Sequence, residues 1–244
     1  LLQIRLLAER NFGISMAVLT LFAIGMLGGT YLLPLYMQRG LGYTALAAGS
    51  MFLPVGVIQG VLSAVSGYLT RYVRPLLLSA AGILVMALGF WLASRFTLHT
   101  THGHILFILY LRGFGMGLTF APLNLFSLKN LTQQDMAAAA GISNSIKQLA
   151  GSIGIALLTV ILSARTSYHA AHETISAAQT YVEGVTDALR VVAVITLAAL
   201  LPLLWVFRKK RPGKSGVKGA ATPSPGEAVS GKTDKTTIYR TKPE

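Results

Sequence analysis

None of the eight acidic residues of this 244-residue chain falls within any of its six long apolar stretches. Glu9, Asp135, Glu173, Glu183, Asp187, Glu227, Asp234 and Glu244 all lie outside them. A buried helix of a soluble protein has no need of so strict an exclusion, whereas hydrocarbon imposes it. The stretches cover residues 12–36, 45–69, 76–94, 105–126, 137–162 and 188–207. In helical form each suits a bilayer core that takes about 20 residues to cross.

Composition agrees. Hydrophobic residues make up 53% of the chain and charged residues 12%, which is too apolar for one soluble core of this size. A disordered chain, a collagen-like chain and a disulfide scaffold are excluded. The absence of cysteine removes thiolate catalysis and Cys-ligated zinc. The chain opens on Leu1, not Met, so it is expected to be a piece of something longer.

A net charge of +13 raises the question of nucleic acid, and position answers it. Ten of the 21 basic residues follow Phe207, in a tail (208–244) rich in Gly, Pro, Ser and Thr and without apolar periodicity. The tail reads as a disordered basic appendage, and no nucleic-acid partner is expected. Its cluster Arg208-Lys-Lys-Arg211 follows an apolar run directly, as a cytoplasmic anchor to a membrane helix does. With the tail inside, alternating loops put fifteen basic residues on the inner side and four on the outer, leaving Arg112 and Lys147 within spans. Both ends are therefore expected in the cytoplasm, with residues 1–11 as a lead-in and 12–207 as the bundle.

The outer loops carry His99, His102 and His104, then His169 and His172. No acidic residue lies in the first of these loops, so no metal centre is expected there, and no cofactor either. Residues 165–186 are expected as a long loop with a short surface helix.

Three helices is an odd number, so a repeated triplet enters the membrane upside down relative to the first. The expected fold is all-α and integral to the membrane: six transmembrane helices as two inverted three-helix repeats. The third and sixth stretches are almost uniformly apolar and suit lipid. The other four carry Gly, Pro, Asn, Gln and Tyr, and should line an interior. The first has Gly25, Gly28, Gly29, Tyr31 and Pro34. The fourth has the small-xxx-small pair Gly113 and Gly117, then Pro122 and Asn124. In the fifth, Ala140, Asn144, Gln148 and Ser152 recur four apart beside Ser143, Lys147, Gly151 and Gly154. Such a stripe must meet protein or water, never lipid. Lys147 either snorkels to the inner interface or faces a cleft.

Several of these segments, in order, resemble one family. They are Arg10-Asn-Phe12, Leu32-Leu-Pro-Leu-Tyr-Met-Gln38, Gly42-Tyr-Thr, Arg112-Gly-Phe-Gly-Met-Gly117 with Pro122, and Ala138-Ala-Ala-Gly-Ile-Ser-Asn144 with Gln148 and Gly151-Ser-Ile-Gly154. The chain is similar to the C-terminal half of the fourteen-helix drug:proton antiporters of the EmrB/QacA type, in the major facilitator superfamily. The resemblance implies a rocking carrier in the bacterial inner membrane, with its cavity between this half and a missing N-terminal half. It implies export of amphiphilic small molecules against inward proton flow, and pairing in two-membrane bacteria with a periplasmic adaptor and an outer-membrane channel. The first and fourth spans would line the cavity, the second and fifth the contact between halves, and the third and sixth the lipid side.

Tyr31, Met116, Thr119, Phe120 and Asn124 are the candidate cavity residues. Gln59, Asn144, Lys147 and Gln148 are the candidates for the contact between halves. Gly67, Arg71 and Arg74 lie in a loop that resembles the superfamily's cytoplasmic gating loop, with Arg71 where an acid is usual. A carrier for one defined solute, and a self-contained six-helix scaffold or channel, are the rival readings. An enzyme is the least expected, since no nucleophile–base pair appears near a span.

Overall fold

The computed structural model describes residues 9–128, 133–172 and 176–209, and among these every regular element is helical. The helices are α1 (Arg10–Leu35), α2 (Ala45–Ser50), α3 (Leu53–Leu69), α4 (Pro75–Ala93), α5 (His102–Leu128), α6 (Gln133–His172), α7 (Ala177–Ala198) and α8 (Leu200–Lys209). Residues 1–8 and 210–244, which hold most of the expected lead-in and tail, lie outside the described residues, as does the side chain of Arg208. Six segments are long and apolar enough to cross a membrane: Phe12–Gly40, Ala45–Leu69, Pro75–Ala93, His102–Leu128, Asp135–His172 and Ala177–Trp205.

Proline marks most of the irregularities. Pro34 has no N–H to give and crowds the carbonyl one turn back, and α1 widens at once into a single π turn, Tyr36–Gly40. Gly42 follows in the left-handed region (φ 72°), and the Thr44 hydroxyl accepts from Ala47 N at 3.2 Å to start α2. The second span, expected as one helix, is broken at residues 51–52. Pro54 sits in the first turn of α3, where a missing donor costs least. The last span is interrupted at Ala199, because Pro202 cannot bond back to the carbonyl of Ala198.

Two expectations about the fifth and sixth spans need correction. Residues 165–186 are not a long loop: α6 continues to His172 and α7 starts at Ala177, capped by the Ser176 hydroxyl accepting from Gln179 N. The sixth helix thus begins eleven residues before the expected 188, and α6 runs for 40 residues, about 60 Å of helix.

The triplets α1–α3–α4 and α5–α6–α7 interlock. The middle helix of each packs on the first helix of the other, α3 on α5 and α6 on α1, while α4 packs on both α5 and α7. That reciprocity is the packing of two inverted repeats. Glycines permit it. A Cβ on Gly82 would lie 2.7 Å from Gly115 O, and one on Gly115 2.8 Å from Gly82 O, so α4 and α5 touch backbone to backbone. Gly113 and Gly117, the small-xxx-small pair, receive α3 at Val55 and Gln59, and the Ser66 hydroxyl donates to Gly117 O at 2.9 Å.

The loops sort the bundle into two ends. One carries Arg71 and Arg74 between α3 and α4, and is called the basic end below. The other, the histidine end, holds the α4–α5 and α6–α7 connections. There the fully buried Tyr36 stacks on Phe96 (centroids 4.8 Å apart) and donates its hydroxyl to Thr97 O at 2.7 Å.

Candidate functional site

Helix α6 leaves one face largely uncovered, and that face is two-toned. Asn144, Gln148, Ser152, Thr159 and Ser163 are exposed along it, beside an exposed apolar row of Leu149, Ile153, Leu157 and Val160. From Asn144 to Ser163 the polar row extends about 28 Å, close to the thickness of a hydrocarbon core. Polar groups at that depth require protein or water opposite them. The buried side of the same helix is held to α1 by close approaches at Gly151 and Gly154, the latter 3.0 Å from the Ile24 Cα if given a Cβ.

Each end of this polar row opens into a cavity. At the basic end, about 260 Å³ is enclosed by α1, α5 and α6, with Leu19, Phe120, Asn124, Ser143, Asn144 and Lys147 on its walls. Asn124 spends its amide on Phe120 O (3.0 Å), and the Ser143 hydroxyl goes to Ala139 O (2.8 Å). Lys147 is half-buried, with its ammonium 5.0 Å from the Phe120 ring centre. A cation over an aromatic face is favourable, the more so when water is scarce. The cavity therefore offers a cation, an aromatic face and two amides within one small volume.

At the histidine end a second cavity of about 280 Å³ lies between α1, the π turn, α6 and α7, lined among others by Tyr31, Arg39, Leu162, Ser163, Thr166 and Tyr181. The Arg39 guanidinium sits over the Tyr181 ring, 5.9 Å from its centre.

The structure thus brings Phe120 and Asn124, expected in the substrate cavity, together with Asn144 and Lys147, expected at the contact between halves. Tyr31 is placed in the other cavity, at the opposite end of the polar row. Met116 is buried in the core. Thr119 is wholly buried, bonds Gly115 O (2.8 Å) and abuts Gly82 of α4. Gln148 is exposed on the polar row, while Gln59 lies half-buried on α3 with its backbone against Gly117. Gly67 is not in the loop where it was expected but in the last turn of α3, where a Cβ would meet open space; in the loop itself Arg71 lies over the Tyr68 ring (5.4 Å), and Arg74 stands just before α4 without a side-chain bond to it. Among the described residues no group of His, Asp or Glu is arranged as a metal site; His102 lies 3.5 Å from the Tyr43 hydroxyl, and His104 meets the edge of Phe96.

Three features escaped the reading of the sequence. Arg112 is buried in α5, with its guanidinium donating to Met26 O (3.1 Å) and to the Thr30 hydroxyl, beside the Phe52 ring. Its presence inside an apolar span was the available signal. The second feature is an ionic cluster joining α6 to α7. His169 places Nδ1 3.3 Å from Glu183 and Nε2 3.1 Å from Asp187, which Arg190 (2.8 Å) and Arg165 (3.9 Å) also approach. The third is the Arg39 cavity itself, whose walls come from residues 31 to 181 and share no motif.

Against known proteins, residues 2–155 match the Major Facilitator Superfamily model. The chain is 32% identical over 178 residues to the multidrug export protein EmrB of Escherichia coli K12, covering 71% of this chain and 34% of that protein. It is 30% identical over 169 residues to the MFS-type transporter YhcA of Bacillus subtilis (69% and 32%). To the puromycin resistance protein pur8 of Streptomyces alboniger it is 32% identical over 226 residues (89% and 44%). The chain spans a third to less than half of the length of these curated relatives. Six membrane-spanning helices in two interlocked inverted triplets, a polar row across the bilayer and a family match over residues 2–155 lead to one conclusion: the chain belongs to the Major Facilitator Superfamily.

Proposed function

We propose that this chain is the C-terminal half of a proton-driven secondary transporter, which exports drugs or other amphiphilic compounds by alternating access from the bacterial inner membrane. The observation that carries the reading is the uncovered polar row of α6, with a cavity at either end. A second bundle laid against that row would close it into a path from one side of the bilayer to the other. The second span supports the same arrangement: a Cβ on Gly49 of α2, or on Gly56, Gly60 or Gly67 of α3, would meet nothing within 4 Å, which leaves room for a closely packed neighbour.

The relatives support the substrate class, since their names record multidrug export, puromycin resistance and cephamycin export. The apolar and aromatic share of the basic-end cavity fits amphiphiles better than sugars, which call for more amides and paired cations. The coupling acid would reside in the complementary half, because the two carboxylates within the sixth segment, Glu183 and Asp187, lie near its start and are engaged by His169 and Arg190. The bias of Lys and Arg supports a cytoplasmic basic end. In a two-membrane bacterium the histidine end would then meet a periplasmic adaptor and, beyond it, an outer-membrane channel.

The test is efflux by the full protein in a bacterium stripped of its own drug pumps. The expected result is raised resistance to puromycin and to a cationic dye, abolished by a protonophore. Resistance that survives collapse of the proton gradient would remove the coupling mechanism, and absence of any resistance would favour a carrier for one defined solute.

A further inference from the structure

The cavity at the histidine end sets a cation, Arg39, among hydroxyls and an apolar wall. Arg39 lies over the Tyr181 ring and close to its hydroxyl, and a guanidinium has five N–H donors, enough to fork onto an anion as well. The Thr166 hydroxyl, beside Gly184, is shielded from water and has no hydrogen-bond partner, and the equally shielded Tyr181 hydroxyl has no polar neighbour but the Arg39 guanidinium within reach. Orphaned polar groups of this kind call for a ligand or an ordered water. The nearest carboxylates of α7, Glu183 and Asp187, do not line the cavity. They are engaged by His169, Arg165 and Arg190, so the cavity keeps the charge of Arg39. Leu35 and Leu162 form an apolar wall beside these groups. At about 280 Å³ the space falls just short of the ~300–1,000 Å³ typical of a drug-sized pocket, so it suits a head group and the start of one chain.

We propose that this cavity binds the anionic head group of a single-chain amphiphile, with Arg39 forking the carboxylate and the Tyr181 and Thr166 hydroxyls donating to it. The substrate role of such an acid rests on the export reading above; its binding does not. The same chemistry also serves the phosphate of an anionic membrane lipid, and the two sources separate experimentally.

The experiment uses the full protein in nanodiscs of phosphatidylcholine. Equilibrium binding of radiolabelled dodecanoate is compared with that of dodecyltrimethylammonium, which has the same chain and the opposite charge. Arg39→Gln should weaken dodecanoate binding about tenfold and change binding of the cation less than about twofold. Tyr181→Phe combined with Thr166→Val should weaken dodecanoate alone by about fivefold, and decides the matter if Arg39→Gln does not fold. Competition by added phosphatidylglycerol would identify a lipid as the resident anion, and lack of competition an exported acid. Equal weakening of both amphiphiles, or unchanged dodecanoate binding in the variants, overturns the site. Transport of dodecyltrimethylammonium by the unmutated protein in proteoliposomes is read separately: its absence sinks the export reading and leaves the binding result standing.

Discussion

The ammonium of Lys147 lies 5.0 Å from the centre of the Phe120 ring, a contact that ties α6 to α5 across the basic-end cavity. A simple snorkelling lysine would run along its own helix toward the interface. Here the charge is instead spent on a neighbouring aromatic wall, beside Asn124 and Asn144.

Lys147→Ala should therefore lower transport about tenfold while membrane abundance is unchanged, and Lys147→Arg should retain most of it because a guanidinium also sits over a ring. A double-mutant cycle with Phe120→Leu should give a coupling of about 0.5–1 kcal/mol. Full transport by Lys147→Ala would return the residue to the snorkelling role.

The buried Arg112 has two oxygen acceptors, Met26 O and the Thr30 hydroxyl, and an aromatic face at Phe52. Thr30→Val removes one of two acceptors from a buried guanidinium. The expected loss is about 1–3 kcal/mol, seen as a lower midpoint of thermal unfolding in detergent. Arg112→Lys should do no better than Thr30→Val, since a point charge cannot reproduce the planar fork. An unshifted midpoint in both variants would show that the guanidinium contributes nothing to holding α5 on α1.

Gly115 and Gly56 are both glycines of membrane helices, with opposite expected tolerance. A methyl on Gly115 would meet Gly82 O at 2.8 Å and Met86 N at 2.9 Å, both rigid backbone atoms, whereas one on Gly56 meets nothing. Gly115→Ala should cost about 1–3 kcal/mol of stability by forcing α4 and α5 apart. Gly56→Leu should leave folding of the bundle intact and, on the proposal that a complementary half packs there, reduce transport. Normal transport by Gly56→Leu would place that face of α3 against lipid.

Asp187 is approached by three cationic or titratable groups, His169, Arg190 and Arg165, whereas Arg165 meets Asp187 only at 3.9 Å and is half-exposed. Asp187→Ala should thus lower the unfolding midpoint more than Arg165→Ala, by about 1–2 kcal/mol against under about 0.5 for the exposed arginine. Equal effects would show that the cluster is a surface pairing without structural weight.

What the sequence revealed depended on which solvent each residue meets. Within hydrocarbon the rules are strict, so long apolar runs located all six crossings, and the four-residue spacing of Ala140, Asn144, Gln148 and Ser152 already marked the polar side of α6. Beyond the membrane the helix continues in water, where hydropathy falls and carries no signal. That is why Thr166, His169, Thr180 and Glu183 read as loop when they are helical. Their fixing contacts are ion pairs between residues 14 to 18 apart in sequence, which no local pattern announces. Thr119 and Phe120 show the limit inside the span: one step along a helix turns a side chain by about 100°, enough to send Phe120 into the cavity and Thr119 against Gly82. Arg39 sits past the end of the first apolar stretch, and its partner Tyr181 is 142 positions away, so their pairing emerges only when the bundle is assembled.

Because α6 is 40 residues long and unbroken, it would act as a lever in the rocking motion proposed above. Lys147 and His169 lie 22 positions apart on one rigid rod, about 33 Å, so a 10° tilt pivoting near Lys147 swings His169 through roughly 6 Å. A ligand that tilted the rod at the aromatic wall would thus make itself felt, magnified, at the charged clasp at the rod's tip.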